Sequence, residues 1–158
     1  KYKNNSVIIG EKNNNYFLEG YKMTELDIWQ TYNMGQTAAG AQFIAVAFLA
    51  WVALRVALSI RNTEDSNLLL KLAGTGFCLS VAYFIAINTG WYEWNNNSIA
   101  AGLAYLQSTD VAISPVAQSF VENMDPGAAF NLVPNLAQGV FIASLLVMQL
   151  GSIWLPKK

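Results

Sequence analysis

Gly35–Ile60 reads "GQTAAGAQFIAVAFLAWVALRVALSI". A bilayer span needs about 20 mostly apolar residues, and this run exceeds that with one charge, Arg55. Arg55 stands six residues before Arg61, close enough to an end for its guanidinium to snorkel to the headgroups. The stretch therefore places the chain in a membrane, and the rest is read outward from it.

A polar connector, "RNTEDSN" (Arg61–Asn67), leads to a second apolar run at about 68–88, "LLLKLAGTGFCLSVAYFIAIN", with Lys71 in its first turn. Two such runs joined by a short polar link predict a transmembrane helical hairpin. A third run spans about 130–155 and closes on Trp154, Pro156, Lys157 and Lys158, the pattern of an interfacial anchor. The expected fold is all-α and multipass, with three transmembrane helices.

Between the second and third runs lies residues 89–129, which opens with "NTGWYEWNNNSIA" (Asn88–Ala100). Trp91, Tyr92 and Trp94 read as an aromatic belt where the second helix leaves the membrane. Ser98–Phe120 is long enough to cross, but it contains Gln107, Asp110, Pro115 and Gln118. A charge near the bilayer centre costs on the order of 2.5–3.5 kcal/mol. The segment is therefore expected to form short helices at the surface or folded back on the bundle. The alternative is a fourth span with Asp110 inside the membrane.

Residues 1–33 form a polar, Asn-rich N-terminal segment, and 34–158 the transmembrane helical domain. The N-terminal segment suits either a short hairpin around Gly10–Asn15 or a partner surface. Near its end, Thr24 followed by Asp27 is a helix-start signature. With three spans, Arg55, Arg61 and Lys71 share a side with Lys157 and Lys158, and the positive-inside rule puts that side in the cytoplasm. The N-terminus and residues 89–129 then lie outside.

Composition narrows the chemistry. Of 158 residues, 54% are hydrophobic and 12% charged, with net charge −1, no histidine and one cysteine, Cys78. Soluble domains carry about 25% charge. Without basic blocks, phosphate neutralisation fails and nucleic acid is a poor partner. Without histidine, His-ligated haem, the usual zinc and copper centres and a Ser-His-Asp triad are not available to this chain alone. No catalytic residue, metal site or cofactor is predicted in the chain, and bound lipid is expected. Cys78, inside an apolar run, reads as a small buried hydrophobe.

Two patterns suggest interfaces. Small residues recur four apart: Ala41 and Ala45, Ala53 and Ala57 in the first helix, Gly76 and Ser80 in the second. Such faces let helix backbones approach closely. In the third run, Asn131, Asn135, Gln138, Ile142, Leu145 and Gln149 are spaced 4, 3, 4, 3, 4. That puts four amides on one helical face, suited to hydrogen bonds with neighbouring helices. Pro134 is expected to kink this helix near its start. An Arg55–Asp110 ion pair would require Asp110 inside the membrane. Sequons at Asn4 and Asn96 arise readily in Asn-rich sequence.

The expected function is that of a non-catalytic accessory subunit of a larger membrane complex, such as an energy-converting or oxidising enzyme. It would act by packing against unlike subunits in a hetero-oligomer. One alternative is a homo-oligomeric channel or transporter lined by Asn131, Asn135, Gln138 and Gln149. Another is a pigment- or quinone-binding subunit walled by aromatic side chains such as Tyr83, Phe84, Trp91 and Trp94.

Overall fold

A computed structural model describes residues 23–64 and 66–156. The N-terminal hairpin, the sequon at Asn4 and the two C-terminal lysines lie outside the described residues. Within them are four helices: α1 (Glu25–Asn62), α2 (Leu68–Ser108), α3 (Pro115–Asn123) and α4 (Leu136–Trp154). There are no strands among the described residues. Three helices, α1, α2 and α4, are long and apolar enough to cross a membrane. The protein is a multipass, all-α membrane protein.

Helix starts follow local chemistry. Thr24 caps α1 through a full capping box, with Asp27 N donating to Thr24 Oγ1 and Thr24 N donating to Asp27 Oδ2. Asn67, Ser114 and Asn135 cap α2, α3 and α4 through their side-chain oxygens. Pro115 takes the first position of α3, where its missing N–H costs nothing.

α1 and α2 pack antiparallel along most of their length, with α4 against both and α3 against α2. At 1.5 Å per residue, α1 and α2 are each about 60 Å long and α4 about 28 Å. The bilayer's hydrocarbon core is about 30 Å. Only the length of α4 fits that layer, so about half of α1 and of α2 projects beyond it as a two-helix mast.

There are accordingly two cores. In the three-helix bundle, Val46, Ala53, Ala57, Ile60, Cys78, Val81, Ile85, Leu145 and Ile153 are buried together. Cys78 is fully buried, 3.8 Å from the carbonyl of Ala53. In the mast, Ile28, Ile99, Leu103, Leu106, Ile113 and Ala117 form a second core under α3. Trp29, Tyr32 and Phe120 close it as a triangle of edge-on rings, with centroids 5.3–5.7 Å apart.

Several boundaries differ from the sequence expectation. The second helix does not end near Asn88; it continues through "NTGWYEWNNNSIA" to Ser108. Trp, Tyr and Asn each cost only about 0.5 kcal/mol in a helix, and tertiary contacts outweigh that. Gln36 Nε2 on α1 donates to Asn96 Oδ1 at 2.8 Å, and Asn97 Oδ1 accepts from Asp125 N at 3.2 Å. Gly90 sits mid-helix because the 124–135 connector crosses it. A Cβ at Gly90 would lie 2.5 Å from the Asn131 carbonyl oxygen.

Ser98–Phe120 is not a fourth span. It comprises the end of α2, a turn and the start of α3. Asp110 makes the turn with a positive φ of 58°, and Val111 N returns to Leu106 O at 3.3 Å, the C-terminal closure usually given to glycine. The last span begins at Leu136 rather than 130. Pro134 precedes its cap, so it delimits α4 instead of kinking it.

Gln149 is 0% exposed, and among the described residues neither its Oε1 nor its Nε2 has a hydrogen-bond partner. A buried unsatisfied polar group costs about 1–3 kcal/mol. Gln149→Met keeps the volume and removes the orphaned amide, so it should stabilise the bundle by about 1 kcal/mol or more. Reversible unfolding in mixed detergent, read by circular dichroism, measures this.

Candidate functional site

The four amides expected on one face of the last helix separate in the structure. Asn131 lies before α4, and its Oδ1 accepts from Val133 N at 3.1 Å, holding the connector in a turn. Asn135 is the cap of α4, accepting from Gln138 N at 3.0 Å. Gln138 is in the first turn, half-buried, and Gln149 is sealed inside the chain's own bundle. They form no continuous exposed stripe.

The small-residue faces separate as well. Ala53 and Ala57 are fully buried, and each lets neighbouring helices approach within this chain. Ala41, Ala45, Gly76 and Ser80 are exposed, so their faces are open to lipid or to another protein. Ser80 Oγ donates back to the Gly76 carbonyl at 2.9 Å, leaving little polarity on that face.

Arg55 and Asp110 do not meet. Arg55 is near the α1–α2 connector, two residues from Ala53, which faces Cys78. Asp110 lies 32 residues further along α2's direction, roughly 45 Å away. Both are exposed. The ion pair failed because α2 carries its polar end out of the bilayer instead of returning into it.

Trp91, Tyr92 and Trp94 stand on α2 at the level where α4 begins. Trp91 and Trp94 meet edge-on at 4.9 Å, and Trp91 and Tyr92 are half exposed. At the opposite end Trp154 Nε1 donates to Thr75 Oγ1 at 2.9 Å, and Lys71 Nζ stands 5.7 Å from the indole centroid. These contacts tie the foot of α4 to α2.

The mast is sharply polarised in charge. Glu25, Asp27, Glu93, Asp110, Glu122 and Asp125 all belong to it, whereas the sequence has no Lys or Arg at 23–54 or 72–156. Arg55, Arg61 and Lys71 sit at the other end. A polar cavity of about 610 Å³ lies under the 124–135 connector, with Glu93, Asp125, Asn96, Asn97 and Asn123 in its wall. Among the described residues its wall holds two carboxylates. Among the described residues no three His, Cys, Asp or Glu side chains converge as metal ligands would.

Glu25 had no signal in the sequence, because its partner is 89 positions away. Its carboxylate accepts from Ser114 Oγ at 2.6 Å, Ser114 N at 2.7 Å and Trp29 Nε1 at 3.0 Å. It thus clamps the start of α1 to the N-terminus of α3, where the helix dipole favours an anion. These bonds, led by the Ser114 hydroxyl, hold its pKa below the ordinary 4.5. Nearby, Tyr32 is raised above 10.0, first by burial and then by Tyr92.

Comparison with known family models, curated proteins and solved structures finds no match for this chain.

A carboxylate with a depressed native pKa stabilises the fold above its unfolded pKa, and that contribution fades as pH falls through the native value. Acidification below about 4.5 should therefore loosen the α1–α3 clasp, seen as a change in Trp29 fluorescence. Glu25→Gln should abolish that step and destabilise the mast by about 1 kcal/mol, measured by thermal melts at pH 7 and pH 4.

Proposed function

We propose that this chain is a non-catalytic accessory subunit of a larger membrane-embedded complex, contributing packing surface to unlike subunits. The supporting observation is one face of α1. Leu26, Met34, Ile44, Phe48, Trp51 and Leu58 are 42–73% exposed. At 100° per residue they fall within about 120° of each other, opposite the buried Ile28, Val46, Ala53 and Ala57. Exposed Gln30, Asn33, Thr37 and Arg55 stand on the same arc, so its unbroken apolar part is the stretch from Ala41 to Trp51, with Leu26 and Met34 as separate apolar residues above it.

Its upper part is mixed, with exposed Leu26 and Met34 among exposed Gln30, Asn33 and Thr37, a composition that a protein partner can meet with both apolar contacts and hydrogen bonds. Ala41 lies within this stripe and Ala45 at its margin, so a neighbouring helix can approach closely there. A tall helix of another subunit, apolar below and continuing past the headgroups, matches this face. The acidic mast favours a partner surface with the opposite charge. The parent assembly we favour is an energy-converting or oxidising enzyme. A homo-oligomeric path lined by Asn131, Asn135, Gln138 and Gln149 draws no support from their separate placements.

On the positive-inside rule, Arg55, Arg61 and Lys71 mark the cytoplasmic side and the mast stands outside. Cys78 is fully buried and gives a low labelling background. In right-side-out vesicles, Glu122→Cys should react with a membrane-impermeant maleimide and Ser66→Cys should not. Labelling of Ser66→Cys alone would reverse the orientation.

Mild extraction from native membranes followed by native mass analysis should recover the chain with unlike subunits. The double variant Ala41→Trp/Ala45→Trp should reduce that recovery at least tenfold, about 1.4 kcal/mol or more, with helicity unchanged. Recovery of the native protein as a monomer or homo-oligomer alone would sink the accessory reading.

A further inference from the structure

A cavity of about 330 Å³ opens between α1, α2 and α4 at the level where α4 begins. Four of its polar walls are Gln36, Thr89, Asn88 and Gln138. The first two are already engaged. Gln36 Nε2 donates to Asn96 Oδ1 at 2.8 Å, and Thr89 Oγ1 donates back to the Ile85 and Ala86 carbonyls at 3.0 Å. The other two are not. Among the described residues, Asn88, only 4% exposed, has no partner for its Nδ2, and Gln138 none for its buried Oε1.

An unpaired donor and an unpaired acceptor thus belong to two side chains that line one cavity; each atom has under 1 Å² of open surface, so a ligand pairs with them once the two amides turn toward it. We propose that this cavity binds the hydroxyl group of a membrane-dissolved amphiphile, which accepts from Asn88 Nδ2 and donates to Gln138 Oε1. A hydroxyl does both; so does a water, and a site held by water alone retains none of the ligands added below. A ketone only accepts and an ammonium only donates, so either would leave one amide unpaired. Exchanging the O and N ends of both amides reverses the two bonds and leaves the match intact.

The rest of the cavity suits the ligand's other half. Phe43 and Ala39 continue its wall along α1 in the direction of the membrane, giving a hydrocarbon tail an apolar path. Tyr92 borders it at the aromatic level. The volume is in the range of small-ligand sites, about 300–1,000 Å³. Two sources share this chemistry: the ring hydroxyl of a quinol and the free glycerol hydroxyl of a diacylglycerol-type lipid. The site lies within one chain and does not depend on the partner interface.

Gly40 provides a clean test. A Cβ there meets nothing within 4 Å, so Gly40→Leu extends into the cavity without disturbing the helix packing. The full chain is placed in phosphatidylcholine nanodiscs, whose headgroup has no free hydroxyl. Dioleoylglycerol, its O-acetyl counterpart and decylubiquinol are added, and retained ligand is counted by native mass analysis. At least one free-hydroxyl ligand should be retained tenfold or more over the O-acetyl counterpart. Gly40→Leu and, separately, Asn88→Leu should each remove that preference while circular dichroism is unchanged. Stronger retention of decylubiquinol identifies a quinol source, and of dioleoylglycerol a bulk-lipid source. Retention of neither, equal retention of the O-acetyl counterpart, or a preference that survives in both variants overturns the proposal.

Discussion

A bilayer accommodates about 30 Å of apolar helix, and two helices of this protein are about twice that length. Everything else in the architecture answers that mismatch. The excess cannot remain in lipid, because it contains Glu25, Asp27, Glu93 and a run of asparagines. Nor could a bare two-helix extension bury its apolar residues. The chain supplies α3, which turns back and covers Ile28, Leu103 and Leu106, while the Glu25–Ser114 clasp fixes its position. The 124–135 connector then descends across Gly90 and delivers the chain to Asn135, where α4 re-enters the membrane layer.

Polar groups are treated differently in the two halves. In the mast, amides find partners: Gln36 with Asn96, Asn97 with the backbone of Asp125. In the bundle and at its upper edge, Asn88, Gln138 and Gln149 have orphaned atoms. Buried polar groups without partners are uncommon, and these three differ in access. Gln149 is sealed by its own helices, so a neighbouring subunit does not reach it. Asn88 and Gln138 line a cavity between α1, α2 and α4, although their orphaned atoms are themselves covered.

Much of the fold was legible in the sequence. The Gly35–Ile60 run, the charged connector and the Trp154 anchor identified three membrane helices, and Thr24 with Asp27 marked the start of α1. The errors came from reading polarity as a break in structure. Asn96 and Asn97 follow the aromatic residues read as the helix's exit from the membrane, yet they are helical, and their side chains bridge to α1 and to the connector. The 4, 3, 4 spacing from Asn131 implied a helical face, but Pro134 and the Asn135 cap place Asn131 outside the helix. Spacing alone also cannot tell which side of a helix faces its own chain. Ala53 and Ala57 turn inward, while Ala41, in the same helix, turns outward. The Glu25 clasp was invisible because its two halves are remote in sequence.

The continuity of α2 through residues 88–100 is the central claim, and an end-to-end distance tests it most directly. With Cys78 replaced by alanine, spin labels at Ser66→Cys and Ser108→Cys bracket the helix. Pulsed electron resonance in nanodiscs should give a single distance near 60 Å, the length of the unbroken 41-residue helix. A distribution centred below about 45 Å would mean that the chain turns at the membrane surface, and the mast would not exist.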